Sequence, residues 1–278
     1  AELTPDALIT HMVGRELAQV FPPVVGVPGE VVLEVAGLTR EPAYRNISFS
    51  LRRGEVLGLA GLMGAGRTEI AEALFGLRPA HAGEIRLHGR PVRLTSPADA
   101  LAAGIGMVTE DRKGLGILPA MSVRSNLTLS ALDRFGGLAG LDAADEARTA
   151  DEQIRAFAIK TSGREQPIGQ LSGGNQQKVV LAKWLARQCD VLIFDEPTRG
   201  IDVGAKYEIY LLMNELVAAG KAIVMISSEL PEVLGMADRA LVMHEGRITG
   251  ELARHQLSEE AITHLATGTA STASTASS

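Results

Sequence analysis

A glycine-rich segment near residue 60 has the residue types and spacing of a phosphate-binding loop. Gly61–Thr68 follows the apolar run Val56–Ala60 and opens a helical pattern, so backbone N–H groups and a helix start face one point. The spacing matches G-x-x-x-x-G-K-[ST], with Arg67 at the lysine position. A dinucleotide fingerprint is excluded because Glu69 stands where its third glycine belongs. The predicted nucleotide-binding residues are Gly61, Gly64, Ala65, Gly66, Arg67, Thr68 and Glu69.

Two adjacent carboxylates could complete a nucleotide-hydrolysing site. Asp195 and Glu196 directly follow Val191–Phe194, a continuous apolar run typical of a strand buried in a parallel sheet. The Thr68 hydroxyl and Asp195 match the arrangement that holds Mg²⁺ in phosphate-loop hydrolases. Glu196, one residue further on, is placed to orient the attacking water. We therefore expect a nucleotide and Mg²⁺ as cofactors.

The composition is that of an ordinary globular chain and argues against several other functions. The 278 residues carry a formal net charge of -6, and no basic stripe is interleaved with aromatics, so no nucleic-acid partner is expected. The single cysteine, Cys189, cannot form an internal disulfide. No apolar run reaches the roughly 18 to 20 residues that span a bilayer, so a membrane role would require a partner. The histidines lack the spacing of a zinc site.

Alternating strand and helix patterns predict the elements that position these residues. Strands are predicted at Val31–Val35, Ile47–Leu51, Val56–Ala60, Gly83–Leu94 (with a turn), Ile105–Thr109, Val191–Phe194, Ala222–Ile226, Ala240–Met243 and Arg247–Gly250. Helices are predicted at Thr4–Val20, Thr68–Phe75, 97–103, Ala144–Ile159, after Leu171 and at Ala205–Ala218. This alternation indicates a doubly wound α/β core. Strand signals vanish between Met121 and Gly163, which indicates an inserted helical subdomain.

Several polar residues follow predicted strands directly. Ligands of such sheets bind at the carboxyl ends of strands, so these residues should converge on one site. They are Gly61, Glu110, Asp195 and Ser228. Glu110 also opens the charged cluster Glu110–Lys113, for which a solvated loop is the simpler interpretation.

A third motif gives the combination its specificity. Leu171–Gln177 lies between the phosphate loop and Asp195-Glu196-Pro197, and this order resembles the ATP-binding cassette (ABC) family over about Val31 to Leu265. The resemblance implies a P-loop NTPase fold, with a mainly parallel sheet core, an N-terminal antiparallel β subdomain and the helical insert. It also implies that the nucleotide is ATP. A GTPase is disfavoured because no [NT]-K-x-D element is present.

The resemblance assigns roles to further residues. Glu110 stands at the family's Q-loop position, Arg199–Asp202 at the D-loop and Ser228 at the switch position, so the implied catalytic residues are Glu196, Ser228 and Glu110. Tyr44 is a candidate for the adenine-stacking aromatic. Family cassettes pair head to tail, so the signature motif should cap ATP held by another cassette. Its residues are Ser172, Gly173, Gly174 and Asn175.

More narrowly, the motifs resemble the second cassette of tandem monosaccharide importers of the ribose, galactose and xylose type. Residues 1–30 are then the tail of an upstream cassette plus a linker, and Met12–Arg15 resembles that cassette's close. Residues 31–266 form the nucleotide-binding domain, with the helical subdomain at about 117–170. Residues 267–278 form a disordered, low-complexity tail. The start at Ala1 without methionine fits half of a two-cassette polypeptide.

Three departures from the broader cassette pattern affect the chain's own site. They are Arg67 for lysine, Glu110 for glutamine and Ser228 for histidine. A planar guanidinium does not replace a compact ammonium directly, and serine cannot be a cation at the γ-phosphate. Because Glu196 is present, the site could turn over or mainly hold ATP, and we expect slow turnover.

The resemblance implies an ATPase that powers sugar import from the cytoplasmic face of the bacterial inner membrane. Its partners would be a second nucleotide-binding cassette, membrane permease subunits and, indirectly, a periplasmic or extracellular sugar-binding protein. Two alternatives remain open. One is an importer ATPase for a nucleoside or another small solute, and the other is an ATP-dependent dimerising module outside transport.

Overall fold

The computed structural model describes residues 21–137 and 140–268. The predicted helix Thr4–Val20, the Met12–Arg15 resemblance and nearly all of the predicted tail lie outside these ranges. Within them, no helix is long and apolar enough to cross a membrane.

The strands lie close to where the sequence predicts them. They are β1 (Val31–Arg40), β2 (Tyr44–Arg52), β3 (Val56–Gly61), β4 (Ala82–Leu87), β5 (Arg90–Val92), β6 (Ile105–Val108), β7 (Gly136–Gly137), β8 (Gly140–Leu141), β9 (Val191–Asp195), β10 (Ala222–Ile226), β11 (Arg239–His244) and β12 (Arg247–Ala253). β1 and β2 extend beyond their predicted ends. The two strands stay paired across register shifts, and the alternation of side chains, from which the strand ends were predicted, does not reveal these shifts.

Helices connect the strands. They are α1 (Arg67–Leu74), α2 (Pro97–Ala102), α3 (Val123–Thr128), α4 (Leu132–Phe135), α5 (Ala143–Ala156), α6 (Gly173–Ala186), α7 (Val203–Ala218), α8 (Leu230–Met236) and α9 (Glu259–Ala266). Side-chain caps fix several starts: Ser96 accepts from the Asp99 amide, Ser122 from Ser125, and Asp142 from Ala144 and Asp145.

The described main sheet has the order β12-β11-β3-β10-β9-β6. The pairs among β11, β3, β10, β9 and β6 are parallel, and β12 joins β11 antiparallel. β9 and β10 are buried at every position, as their continuous apolar sequences predict. Trp184 of α6 packs over β6, where a Cβ on Gly106 would come within 3.0 Å of its ring, so Trp184 is a core residue.

A smaller sheet precedes and flanks the main sheet. Its order is β2-β1-β4-β5 and every pair is antiparallel, which confirms the predicted β subdomain. The two sheets are tied by Arg239 at the start of β11, whose Nε donates to the buried Glu55 carboxylate at 2.6 Å. Glu55 in turn accepts from the Arg52 amide at the end of β2.

Three elements differ from the sequence prediction. The helical insert contains a minimal hairpin of β7 and β8, which carries only glycines and one leucine and so gives no strand signal. α8 and α9 were not predicted. α8 is short, has a proline as its second residue and lacks a side-chain cap, so neither periodicity nor capping marks it strongly.

Candidate nucleotide-binding site

The loop after β3 has the geometry of an anion cradle. Gly66 is the N-cap of α1 with φ of 96°, and a Cβ there would lie 2.7 Å from the Ala43 carbonyl oxygen. Gly64 has φ of 79° and open space where a Cβ would stand, so its conformation alone requires glycine. The first amides of α1, those of Arg67 to Glu69, have no partner four residues earlier in a helix and are available to an anion.

Thr68 and Asp195 meet beneath this loop. The Thr68 hydroxyl Oγ1 donates to Asp195 Oδ1 at 3.3 Å. Asp195 is 0% exposed, and its Oδ2 has no hydrogen-bond partner within the part of the chain that the structure describes. Burial raises the pKa of Asp195 from 3.8 to about 6, partly offset by the Thr68 bond. A buried carboxylate with a free oxygen beside a hydroxyl suits a hard divalent cation, so these residues fit Mg²⁺.

Glu196 and Ser228 are brought together from the ends of β9 and β10. Ser228 Oγ donates to Glu196 Oε2 at 3.1 Å, and the Glu196 amide donates to the Ile226 carbonyl at 3.0 Å. Burial raises the pKa of Glu196, while the Ser228 hydrogen bond and the Arg67 charge oppose that rise. An anchored carboxylate of this kind can orient a water and accept a proton from it.

Arg67 does not extend as a free cation into the loop. Its side chain is 8% exposed, and Nη1 donates to the Ser227 carbonyl at 2.8 Å. Desolvation by burial lowers its pKa, which nearby carboxylates counteract, so it stays charged. Arg67 therefore ties the loop to the end of β10 and supplies positive charge beside Asp195 and Glu196.

Glu110 borders a cleft that also contains the proposed metal ligands. The cleft has a volume of about 670 Å³, and Thr68, Glu110, Asp195 and Arg199 line it. Glu110 pairs with Arg199, joining the segments that follow β6 and β9. Of the four residues predicted to converge, Glu110 and Asp195 thus share this cleft, whereas Gly61 and Ser228 are not among the residues that line it. Arg112 of the same charged cluster is not a solvated residue, since its Nε and Nη1 are buried.

The signature residues lie apart from this cleft, at the start of α6. Ser172 is the exposed N-cap. Asn175 uses both ends of its amide internally: Nδ2 donates to Ser172 Oγ at 2.9 Å, and Oδ1 accepts from the Lys160 amide at 2.8 Å. Asn175 therefore holds Ser172 in place. The assignment of the segment to a partner's nucleotide stays a prediction.

The two signature glycines have different surroundings. A Cβ on Gly174 would lie 2.6 Å from Ala205 Cβ, so this glycine allows α6 and α7 to pack closely. A Cβ on Gly173 would meet only the Arg112 guanidinium, 3.2 Å from Nη2. Of these two glycines, only Gly173 is not required for the packing of one helix against another, so only Gly173 is available to approach a ligand.

The adenine-stacking role predicted for Tyr44 is wrong. Tyr44 opens β2 opposite Arg40, and its side chain is 1% exposed within the core. Burial also raises the pKa of its hydroxyl to about 12. No ring face of Tyr44 is therefore open to a nucleotide.

Fold and site together define a phosphate-loop nucleotide-binding protein. A family model described as ABC transporter matches residues 44–199, and the chain belongs to this family. It is 56% identical over 276 residues to a putative ribose/galactose/methyl galactoside import ATP-binding protein of Burkholderia lata. It is 51% identical over 268 residues to a ribose import ATP-binding protein of Rubrobacter xylanophilus. These matches cover 98% and 96% of this chain but 54% of each relative, so the chain spans about half their length.

Solved structures agree on the fold. The ADP conformation of an ATP-binding cassette of an ABC transporter superimposes with a TM-score of 0.72 at 20% identity, covering 86% of this chain and all (100%) of that one. A nucleotide-free cassette gives a TM-score of 0.70 at 20% identity, covering 86% of this chain and 96% of that one. The P-loop α/β fold predicted from the sequence is confirmed.

Proposed function

We propose that this chain binds and hydrolyses ATP to power the import of a monosaccharide through a membrane permease. The observation that carries the proposal is the unpartnered, buried Oδ2 of Asp195 beside the Thr68 hydroxyl, directly under a glycine-rich anion cradle. A nucleotide with its divalent cation satisfies all three features at once. The sugar is supported by the names of two relatives: a putative ribose/galactose/methyl galactoside import ATP-binding protein, 56% identical, and a ribose import ATP-binding protein, 51% identical.

The residues divide the chemistry among them. Thr68 and Asp195 would hold Mg²⁺, which supplies charge neutralisation at the phosphates when bound. The amides at the start of α1 hold phosphate oxygens, and the Arg67 charge favours the anion. Glu196 orients water and takes its proton, and Ser228 holds the Glu196 carboxylate in place through the bond at 3.1 Å. Glu110 faces the same cleft from the end of β6.

The chain acts in this proposal as the second of two cassettes. Its signature segment, led by Ser172 and Gly173 at the start of α6, completes the ATP site of the first cassette. Its own site turns over slowly, because Arg67 is engaged with the Ser227 carbonyl and a neutral serine occupies the switch position. The active protein would therefore depend on both cassettes.

The remaining partners are permease subunits and, through them, a periplasmic or extracellular sugar-binding protein. The segment after β6 offers a docking surface at one rim of the cleft, where Leu115 is 72% exposed and Leu118 is 43% exposed. Exposed leucines beside charged residues are typical of a surface that meets another protein. The cassette would bind the permease at the cytoplasmic face of the cell membrane.

Uptake by a reconstituted transporter tests this function. The two-cassette protein, its permease and its binding protein are placed in vesicles, and entry of labelled ribose and galactose is followed with Mg-ATP or Mg-GTP inside. We expect ATP-dependent uptake of at least one sugar, with GTP supporting less. Sugar entry at the same rate with and without ATP, or ATP-dependent entry of nucleosides but of neither sugar, would refute the sugar-import proposal.

A further inference from the structure

Glu232 is a buried carboxylate that no motif of the sequence marks. It lies in α8, four residues after Ser228, and is 1% exposed. Oε1 accepts hydrogen bonds from Tyr210 Oη at 2.6 Å, from Lys206 Nζ at 3.3 Å and from Thr198 Oγ1. Oε2 accepts from Ser227 Oγ at 2.7 Å. A charge buried this deeply is tolerated only with such complete pairing.

Two of these four partners flank the proposed catalytic pair. Thr198 is two residues after Glu196, and Ser227 directly precedes Ser228. The Glu232 carboxylate therefore binds the segment after β9 through Thr198 and the segment after β10 through Ser227. The Ser228–Glu196 hydrogen bond joins the same two segments.

The backbone of Glu196 needs such support. Its φ is 52°, in the left-handed region that a residue with a side chain rarely adopts. Conformations of this kind persist when the surrounding structure fixes them, and they cluster at functional sites. The Glu196 amide donates to the Ile226 carbonyl, and its carbonyl accepts from the Arg199 amide at 3.2 Å. Thr198, which donates a hydrogen bond to Glu232, lies within the same turn.

We propose that Glu232 is a positioning residue for ATP hydrolysis, which holds Glu196 and Ser228 in register through Thr198 and Ser227. This inference rests on the proposed function. Glu232 touches neither nucleotide nor water in this scheme, so its loss should reduce the rate of hydrolysis and leave ATP binding intact.

The test is ATP binding and hydrolysis by the full chain, under conditions in which sedimentation shows two copies paired, so that every site is this cassette's own. For Glu232→Gln we expect kcat to fall about 10- to 100-fold and the KM for ATP to stay within about twofold. The matched control is Glu146→Gln, another buried carboxylate, which accepts from Thr128 Oγ1 at 2.7 Å in the helical insert. This control should lower the melting temperature without changing kcat.

A second pair of variants covers the case in which Glu232→Gln folds poorly. Thr198→Val removes the hydroxyl donor and should lower kcat, whereas Thr198→Ser keeps it and should restore most of the rate. Equal rates for these two variants, or a Glu232→Gln protein with unchanged kcat, would overturn the role of Glu232. A wild-type chain that does not bind Mg-ATP would instead refute the proposed function, before any variant is compared.

Discussion

Asp195 connects the electrostatics of the site to the stability of the fold. Its pKa is raised to about 6 from 3.8, mainly by burial, so the folded chain binds this proton more tightly than the unfolded chain. The resulting stability is fully present below pH 3.8 and is lost as the pH rises through about 6. At neutral pH the ionised group destabilises the nucleotide-free protein, by roughly 2 to 3 kcal/mol.

The first prediction concerns Asp195→Asn. Without nucleotide at pH 7.5, this variant should unfold at a higher urea concentration than the wild type, because a neutral amide replaces a buried charge. At pH 4 the gain should nearly vanish. The same variant should lose the dependence of ATP affinity on Mg²⁺, since a metal ligand is gone.

Asp190→Asn is the matched control for this experiment. Asp190 precedes β9 at its opposite end and is paired with Lys221 Nζ at 2.9 Å. Its substitution should not stabilise the protein and should leave the effect of Mg²⁺ on ATP affinity intact. An Asp195→Asn variant no more stable than the wild type at pH 7.5 would show that the buried charge carries no such cost.

At the scale of elements, α6 begins with two adjacent glycines that have different surroundings. Gly174 fits against Ala205 of α7, whereas Gly173 faces the Arg112 guanidinium. The sequence motif presents both glycines as equivalent. The structure separates them by what a methyl group would meet at each position.

The second prediction compares Gly174→Ala with Gly173→Ala. The new methyl at position 174 would lie 2.6 Å from Ala205 Cβ and force the helices apart, costing about 1 to 3 kcal/mol in the free energy of unfolding. Gly173→Ala should change it by no more than about 0.5 kcal/mol. Urea denaturation measures both, and adding Ala205→Gly should restore the stability of Gly174→Ala. If Ala205→Gly brings no recovery, the packing explanation is wrong.

Some elements and site residues could be predicted because their physics is local. The buried strands β9 and β10 are continuous apolar runs, and parallel strands place Asp195 and Ser228 at the same edge of the sheet. Tyr44 could not be placed, because an aromatic at a strand start does not reveal which side faces the core. Glu232 was missed for a similar reason: its partners come from three other segments, and only the folded chain assembles them.

At the scale of the whole molecule, the phosphate loop and the signature segment contact different residues. The phosphate loop adjoins Ala43, Ser227 and Asp195, whereas the signature segment adjoins Lys160, Ala205 and Arg112, of which Arg112 also lines the cleft. One chain therefore presents a nucleotide site and, elsewhere, an exposed helix start suited to an anion. This arrangement accounts for the proposal that each cassette completes the site of another.

We propose that this cassette contributes more to its partner's ATP site than to its own. The measurement is steady-state ATP hydrolysis by the two-cassette protein in its transporter, comparing Gly173→Asp with Glu196→Gln and checking nucleotide binding in each. Gly173→Asp introduces a negative charge at the helix start that we propose to face the partner's phosphates, so we expect a loss of about 10² to 10³ in rate. Glu196→Gln should retain a substantial fraction of the activity. A Glu196→Gln protein as inactive as Gly173→Asp would contradict the account, because both sites would then have to hydrolyse or be obligatorily coupled.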